Sequence, residues 1–229
     1  MLWPRHALRQ QTLREVNLTI DLSHHAPCTM QASRQDRPLT NETMQTWEQR
    51  DGIRLLKTIG VTVGDTVVDF GCRVGHYTIP AALAVGPSGL VYALDKDPVP
   101  LDELRRKATR HGVRNIATMT AGSPCEVDID NESVDVVLLY DVLHYFIRSQ
   151  RRKLIRQMAR LLKPHALLSV FPKHTADDWP SREFKDLHVS DVIREIQSYG
   201  FRLENQYEAT LSHDDELVPG CVWNFRESE

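Results

Sequence analysis

An apolar segment that runs into a glycine-bearing turn is the most informative part of the sequence for chemistry. Residues 67–70 read Val-Val-Asp-Phe, and Gly71 and Gly75 bracket a turn that precedes a helical stretch. Glycine permits tight backbone geometry and close approach of a ligand, and the first N–H groups of a helix are free to meet a polar ligand group. Asp69 is placed to accept from a ligand ammonium or to order the turn. The segment predicts a ligand-binding turn, with an ordinary strand-to-helix turn as the alternative.

A second apolar segment ends in an acid. Residues 90–94 are strand-like and Asp95 follows them. In a doubly wound sheet the ends of neighbouring strands line one crevice, where a carboxylate can accept from both hydroxyls of a ribose. The dinucleotide fingerprint is absent because Arg73 stands where its second glycine belongs. The pair of segments therefore predicts a ligand that carries a nucleoside.

Polar residues also follow a later apolar segment, residues 134–140. Tyr140 and Asp141 end it, and His144 comes three positions later. Since the ordinary pKa of histidine, about 6.5, suits proton acceptance, His144 is our candidate for a general base or a substrate contact. The alternative is a packed or surface histidine.

These segments belong to a regular alternation of strands and helices. The predicted strands are 66–70, 90–94, 116–120, 134–140 and 167–171, followed by a strand-like pair around 202–211 and 221–225. The predicted helices are 41–57, 76–85, 101–111, 146–162 and 191–199. This order predicts an α/β fold with a doubly wound, mostly parallel seven-stranded sheet and an antiparallel terminal β-pair. Residues 1–39 are expected to form a flexible extension and residues 40–229 one domain.

Two helices carry basic residues beside their apolar positions. In helix 146–162 the apolar stripe begins at Ile147, and the arginines, Arg151 among them, are expected on a solvated face. In a doubly wound sheet this helix and helix 101–111 cover opposite faces. We therefore expect no single basic patch.

The ordered series of strand-end residues resembles a known family. Its segments are 69–75, 94–95, 135–141 and 161–164, the last reading Leu-Leu-Lys-Pro ahead of the fifth strand. The series is similar to that of the class I S-adenosylmethionine-dependent methyltransferases, and most similar to the small-molecule group that includes ubiquinone and menaquinone C-methyltransferases. The resemblance spans residues 41–227 and implies a Rossmann-like methyltransferase domain over 40–229.

The resemblance also implies a set of site residues. S-adenosylmethionine would be the cofactor, and the acceptor an unidentified small molecule. The methionine part would be surrounded by Asp69, Gly71, Cys72 and Gly75. Asp95 would hold the ribose, Lys96 would lie beside the adenine, and Gly122 and Ser123 along its edge. Tyr140 and Asp141 would face the methyl-bearing sulfonium. Asp141 and, from its position after the fourth strand, His144 are the catalytic candidates.

Two positions depart from the family pattern. Arg73 stands where members usually have glycine, and residues 121–123 read Ala-Gly-Ser where an acid often receives the adenine amino group. Arg73 motivates an alternative function, a non-catalytic methyltransferase-fold protein that serves as a cofactor sensor or a partner subunit. A nicotinamide-dependent oxidoreductase shares the fold but requires the missing glycine pattern.

Three weaker signals complete the set. Cys125 resembles the nucleophile of RNA cytosine-C5 methyltransferases, but it follows the third strand instead of the fourth. His24, His25 and Cys28 lack a fourth ligand for zinc, so no metal is expected. The long polar loop 173–190 has the side chains of a lid, which would close over the substrate together with helix 41–57.

The composition is that of an ordinary globular chain. The chain has 229 residues, 41% of them hydrophobic, and a net charge of −3, so a nucleic-acid partner is not expected. No apolar run approaches the roughly 18–20 residues of a membrane helix, and no membrane span is predicted. The four cysteines form no C-x-x-C pair, which favours a reducing cytoplasm. The sequence predicts no oligomeric state.

Overall fold

The computed structural model of the chain describes residues 41–122 and 127–228. The extension predicted over residues 1–39 lies outside this range, and so do His24, His25, Cys28, Ser123 and Cys125.

One sheet contains all the strands of the described residues. The strands are β1 (Thr66–Phe70), β2 (Leu90–Asp95), β3 (Ile116–Thr120), β4 (Val134–Tyr140), β5 (Leu162–Phe171), β6 (Phe201–His213) and β7 (Glu216–Glu227). Their order across the sheet is β3-β2-β1-β4-β5-β7-β6. Strands β1 to β5 pair in parallel, and β7 runs antiparallel to both β5 and β6. The predicted fold class, a mostly parallel seven-stranded sheet with an antiparallel terminal pair, is confirmed.

The helices alternate with the strands. They are α1 (Asn41–Thr46), α2 (Gly52–Ile59), α3 (Thr78–Val85), α4 (Pro98–Arg110), α5 (Arg148–Leu161) and α6 (Val189–Gln197). A π-helical segment, Trp47–Asp51, joins α1 to α2, and Gly60, at φ 118°, ends the run as a left-handed C-terminal glycine does. The sequence predicts Asn41 as the N-cap of this helix, but Asn41 is itself helical, so that prediction was wrong.

The two faces of the sheet carry different helices. Val67 of β1 belongs to the cluster with α2 and α3, while its neighbour Val68 packs with α5 and α6. Ala93 of β2, on the same face as Val67, packs against α4. Successive strand residues face opposite sides, so α4 and α5 lie on opposite faces as predicted. Their basic residues do not form one patch.

Helix α5 differs from its predicted pattern at two positions. Ile147 is 48% exposed and precedes the first residue of the helix, so it does not belong to the apolar stripe. Arg151, expected in solvent, is buried and forms an ion pair with Glu195 of α6 at 2.7 Å. Periodicity placed Arg151 off the stripe, but α6 covers that side of α5.

The terminal hairpin is tighter than predicted. Asp214 and Asp215, at φ 46° and 67°, form the two-residue turn, as a type I′ hairpin requires. The sequence pattern suggests a link between these two strands through residues 213–216 and Pro219-Gly220, but Pro219 and Gly220 are paired within β7 opposite β6.

Within the described ranges, none of the helices combines the length and the hydrophobicity that crossing a bilayer requires.

Candidate functional site

The turn after β1 needs its glycines for packing as well as for conformation. Gly71 and Gly75 have φ values of 82° and 83°, which favour glycine. A Cβ on Gly71 would lie 2.6 Å from Val142 Cγ2, and one on Gly75 would collide with Leu104. The turn is therefore fixed between the segment that follows β4 and helix α4.

Asp69 connects the end of β1 to the helix that follows the turn. Its Oδ2 accepts from Thr78 Oγ1 at 2.5 Å, at the first residue of α3. Burial raises the pKa of Asp69 to about 6, and the charge of Asp95 adds to the rise, against the opposing effects of the Thr78 hydrogen bond and of His76. This hydrogen bond agrees with an ordering role for Asp69, and contact with a ligand ammonium stays a prediction.

Asp95 lies beside the turn, as the strand order predicts. Its Oδ2 accepts from the backbone N–H of Arg73 at 2.9 Å and its Oδ1 from that of Asp97 at 3.0 Å. Because each carboxylate oxygen has two acceptor sites, the group retains capacity for the hydroxyls of a ribose.

Arg73 takes a glycine-like conformation in the middle of the turn, with φ 46°. Its half-exposed guanidinium lies 3.2 Å from Asp214 and 3.7 Å from Asp215. These ion pairs tie the side chain to the β6–β7 turn, which explains how an arginine is accommodated where the methyltransferases that the sequence resembles usually have glycine.

Cys72 is a packed thiol. Its backbone N–H donates to Leu94 O at 3.0 Å, and its side chain is buried against α4. Burial raises the pKa of the thiol, and the nearby charges of Asp69 and Asp95 raise it further. A neutral, buried thiol can line a pocket but is not a nucleophile.

Two of the residues predicted beside the adenine, Lys96 and Gly122, are open to solvent. Lys96 is exposed, with its Nζ 5.8 Å from the centre of the Tyr145 ring. Gly122 is exposed after β3, with open space where a Cβ would stand. Ser123 lies outside the described residues.

Tyr140 is held in the core at the end of β4. Its hydroxyl is hydrogen-bonded to Ser169 Oγ at 2.8 Å, and its ring packs edge-on against Tyr77, with centres 4.6 Å apart. Burial raises the pKa of the phenol well above its ordinary value. Tyr140 is thus a neutral, rigid group, and its place relative to a sulfonium stays a prediction.

Asp141, His144, His174 and His213 form what we call the histidine cluster. Asp141 and His144 follow β4, His174 follows β5, and His213 is the last residue of β6. All four therefore lie at the carboxyl edge of the sheet. His213 Nδ1 donates to Asp141 Oδ2 at 2.5 Å. The other oxygen, Oδ1, lies 3.5 Å from His144 Nδ1 and 3.9 Å from His174 Nε2.

The cluster changes the expected acid–base roles. Burial lowers the pKa of His144 to about 3, with contributions from His174, Arg182 and His213, so the expectation of an ordinary pKa there was wrong. Burial also acts to lower the pKa of His213, but the hydrogen bond and charge of Asp141 outweigh it and raise the value. Of these two histidines, His213 therefore holds a proton more readily.

Sequence reasoning gave no catalytic role to His174 or His213. His174 lies just after a strand and His213 is the last residue of one, at the carboxyl edge of the sheet. A polar residue in such a position is the same signal that indicates Asp95 and Asp141. The sequence pattern instead favours a lid for the segment of His174 and a link between strands for the segment of His213.

The loop after β5 is anchored. Phe184 is fully buried, Lys173 pairs with Asp178, and Asp177 accepts from the backbone N–H of Val189 at 2.8 Å. Trp179, by contrast, is 76% exposed. Within the predicted lid, Trp179 is the large apolar side chain open to solvent.

The helical segment 41–59 contacts the turn through a buried acid. Glu48 Oε1 lies 2.5 Å from His76 Nδ1 and 2.7 Å from Lys107 Nζ. Burial acts to raise the pKa of Glu48, but the His76 hydrogen bond and the Lys107 charge outweigh it and lower the value. The ionised carboxylate thus links this segment to the turn and to α4.

Comparison with known proteins supports a methyltransferase domain. The family model described as a methyltransferase domain matches residues 67–165. The chain is 35% identical over 85 residues to a probable cobalt-precorrin-6B C(15)-methyltransferase (decarboxylating) of Saccharolobus solfataricus, covering 37% of this chain and 43% of that protein. It is 36% identical over 98 residues to aklanonic acid methyltransferase DauC of Streptomyces sp. strain C5, covering 40% of this chain and 44% of that protein.

The fold has close counterparts among solved structures. A SAM-dependent methyltransferase from Aquifex aeolicus superposes with a TM-score of 0.63 at 20% identity, covering 82% of this chain and 97% of that one. The chain spans less than half the length of the curated relatives named above. Those relatives do not single out the ubiquinone and menaquinone group, so that finer resemblance stays a prediction. Residues 67–165 therefore match a methyltransferase domain, and the sheet order and the glycine turn agree with the Rossmann-like fold of the solved methyltransferase structures.

Proposed function

We propose that the protein transfers a methyl group from S-adenosylmethionine to a small-molecule acceptor. The observation that carries this proposal is the position of Asp95, whose carboxylate lies against the glycine turn at the Arg73 backbone N–H. This is where a bound nucleoside would meet both the acid that ends β2 and the turn that follows β1.

The cofactor is assigned to groups along the carboxyl edge. Its methionine part lies in the turn formed by Asp69, Gly71, Cys72 and Gly75. Asp95 holds the ribose, and Lys96, Gly122 and Ser123 border the adenine. Tyr140 and Asp141 face the sulfonium, so the acceptor enters from the side of the histidine cluster.

Methyl transfer makes modest chemical demands. A lone pair of the acceptor attacks the methyl carbon, the carbon–sulfur bond breaks, and S-adenosylhomocysteine leaves with that bonding pair. In-line placement supplies most of the rate. An acceptor that is protonated also needs a base. His213 suits this role because its Nδ1–H is held by Asp141, which leaves Nε2 as the acceptor of a proton.

The acceptor itself can be sought among chemically related small molecules. The relatives' names point to a corrinoid precursor and to aklanonic acid, and the sequence resemblance points to quinols. Incubation of such a panel with methyl-labelled cofactor should transfer label to at least one acceptor. Label in no member of the panel, with cofactor binding intact, would count against small-molecule methylation.

Cofactor affinity should depend on pH through Asp69. Its pKa in the free protein is about 6, and a ligand ammonium needs the ionised form. Binding of S-adenosylhomocysteine should therefore weaken as pH falls, by about tenfold between pH 7 and pH 5. Calorimetry over this range measures it. In Asp69→Asn the affinity should be lower and should lose this slope, whereas a flat wild-type profile would contradict the assigned contact.

Arg73→Gly should change cofactor affinity little, by less than about threefold. The guanidinium is held by Asp214 and Asp215, and the backbone N–H that binds Asp95 persists in glycine. Calorimetry with S-adenosylhomocysteine compares the variant with Val74→Gly as a matched change in the same turn. A gain of tenfold or more would support the alternative of a non-catalytic protein with a degenerate site.

A further inference from the structure

We propose that Asp141, His144 and His174 form a binding site for a divalent transition metal ion of the zinc type. The three residues are brought together by the loops that follow β4 and β5. The proposal goes beyond methyl transfer and does not depend on it.

The spacing of the three ligand atoms suits one ion. Asp141 Oδ1 is 3.5 Å from His144 Nδ1 and 3.9 Å from His174 Nε2, and the ligand atoms of the group all lie within 4.8 Å of one another. Zinc bonds of about 2.0–2.1 Å in tetrahedral geometry place neighbouring ligand atoms about 3.4 Å apart. Small side-chain movements therefore bring all three into coordination.

Two buried polar atoms at the centre of the group have no hydrogen-bond partner among the described residues. They are Asp141 Oδ1 and His144 Nδ1, and His144 is only 1% exposed. Buried polar atoms are nearly always satisfied, and the 3.5 Å between these two atoms is too long for a normal hydrogen bond. A cation between the two atoms would satisfy both.

The surrounding groups already orient the ligands. His174 Nδ1 lies 3.2 Å from the carbonyl oxygen of Trp179, which can only accept, so the proton is on Nδ1 and the lone pair on Nε2 faces Asp141. His213 holds the other oxygen of that carboxylate at 2.5 Å. Metal-binding histidines and carboxylates in proteins have such supporting hydrogen bonds.

The charges nearby permit a cation. Lys173 is paired with Asp178, and the Arg182 guanidinium lies over the ring of Tyr145, 4.6 Å from its centre. Both of these cations are therefore engaged by other groups, and Asp214 adds negative charge beside His213.

The donor set selects the kind of ion. Two imidazole nitrogens and one carboxylate oxygen suit zinc, iron, cobalt or nickel, whereas magnesium and calcium prefer oxygen ligands alone. Three protein ligands also leave a coordination position open. If the proposed methyl transfer holds, an acceptor oxygen at that position would lose its proton more readily.

Titration of the metal-free full-length protein tests the site. After dialysis against a chelator, calorimetry with zinc chloride should give one tight site, and cobalt(II) should give the visible absorption of a low-coordinate complex. His174→Ala should weaken zinc binding at least a hundredfold and abolish the cobalt spectrum. The matched control is His188→Ala, an exposed histidine of the same loop that pairs with Asp177, which should bind zinc like the wild type.

Several outcomes would overturn the proposal. The absence of zinc binding would do so, as would binding that His174→Ala leaves unchanged. If circular dichroism shows that His174→Ala is unfolded, Asp141→Asn takes its place with the same expectation. Binding of S-adenosylhomocysteine by the metal-free protein is measured in parallel, because its failure would count against the proposed function and not against the metal site.

Discussion

Replacing Asp95 with alanine should weaken S-adenosylhomocysteine binding by about a hundredfold or more. Each hydrogen bond to a charged group contributes about 1.5–3 kcal/mol, so loss of two ribose contacts costs at least about 3 kcal/mol, and every 1.4 kcal/mol is about tenfold in affinity. The variant also removes the acceptor of the Arg73 and Asp97 backbone N–H groups. Calorimetric titration measures the loss.

A matched acid separates binding from a general effect of charge. Asp102 lies on α4, is exposed, and pairs with Arg105, so Asp102→Ala should bind the ligand like the wild type. Asp95→Asn, which keeps one acceptor oxygen, should fall between the two. An Asp95→Ala protein that is folded and binds within threefold of the wild type would refute the ribose assignment.

Replacing Arg151 with alanine should lower the free energy of unfolding by about 3–5 kcal/mol, as expected when one member of a buried ion pair is removed. Its guanidinium makes two contacts with Glu195, at 3.0 and 2.7 Å, and a third with Phe146 O at 2.6 Å. It also lies over the ring of Phe184, 5.0 Å from its centre. Urea denaturation followed by circular dichroism measures the change.

The control for Arg151 is an arginine with an exposed partner. Arg106 pairs with Glu103 on the surface of α4, where such pairs contribute at most about 1 kcal/mol. Arg106→Ala should therefore leave stability almost unchanged. Replacing both members of the buried pair, Arg151→Met with Glu195→Leu, should cost much less than Arg151→Ala alone. A loss below about 1 kcal/mol in Arg151→Ala would contradict the buried ion pair.

The succession of strands and helices along the chain could be predicted because the signals are local. Apolar runs such as 134–140 mark strands covered on both faces, and Gly71 marks the turn after β1. Once neighbouring strands are assigned to one sheet, the strand ends indicate candidate site residues, so Asp69, Asp95 and Asp141 can be proposed from the sequence alone.

The histidine cluster could not be predicted in the same way. Asp141 and His174 come together only because β4 pairs in parallel with β5. His213 reaches them only because β7 pairs antiparallel with both β5 and β6, which brings the end of β6 to the same edge. The low pKa of His144 depends on burial by these separate segments. The pairing of Arg151 with Glu195 likewise depends on how α5 packs against α6. The periodicity of one helix carries no information about that packing.

The most direct test of the cofactor assignment is calorimetric titration of the full-length protein with S-adenosylmethionine and S-adenosylhomocysteine, with NADH as the control. We expect both sulfur compounds to bind at one site with micromolar affinity and NADH not to bind. If circular dichroism shows a folded protein that binds neither compound, the assignment of the glycine turn and Asp95 to this cofactor is contradicted.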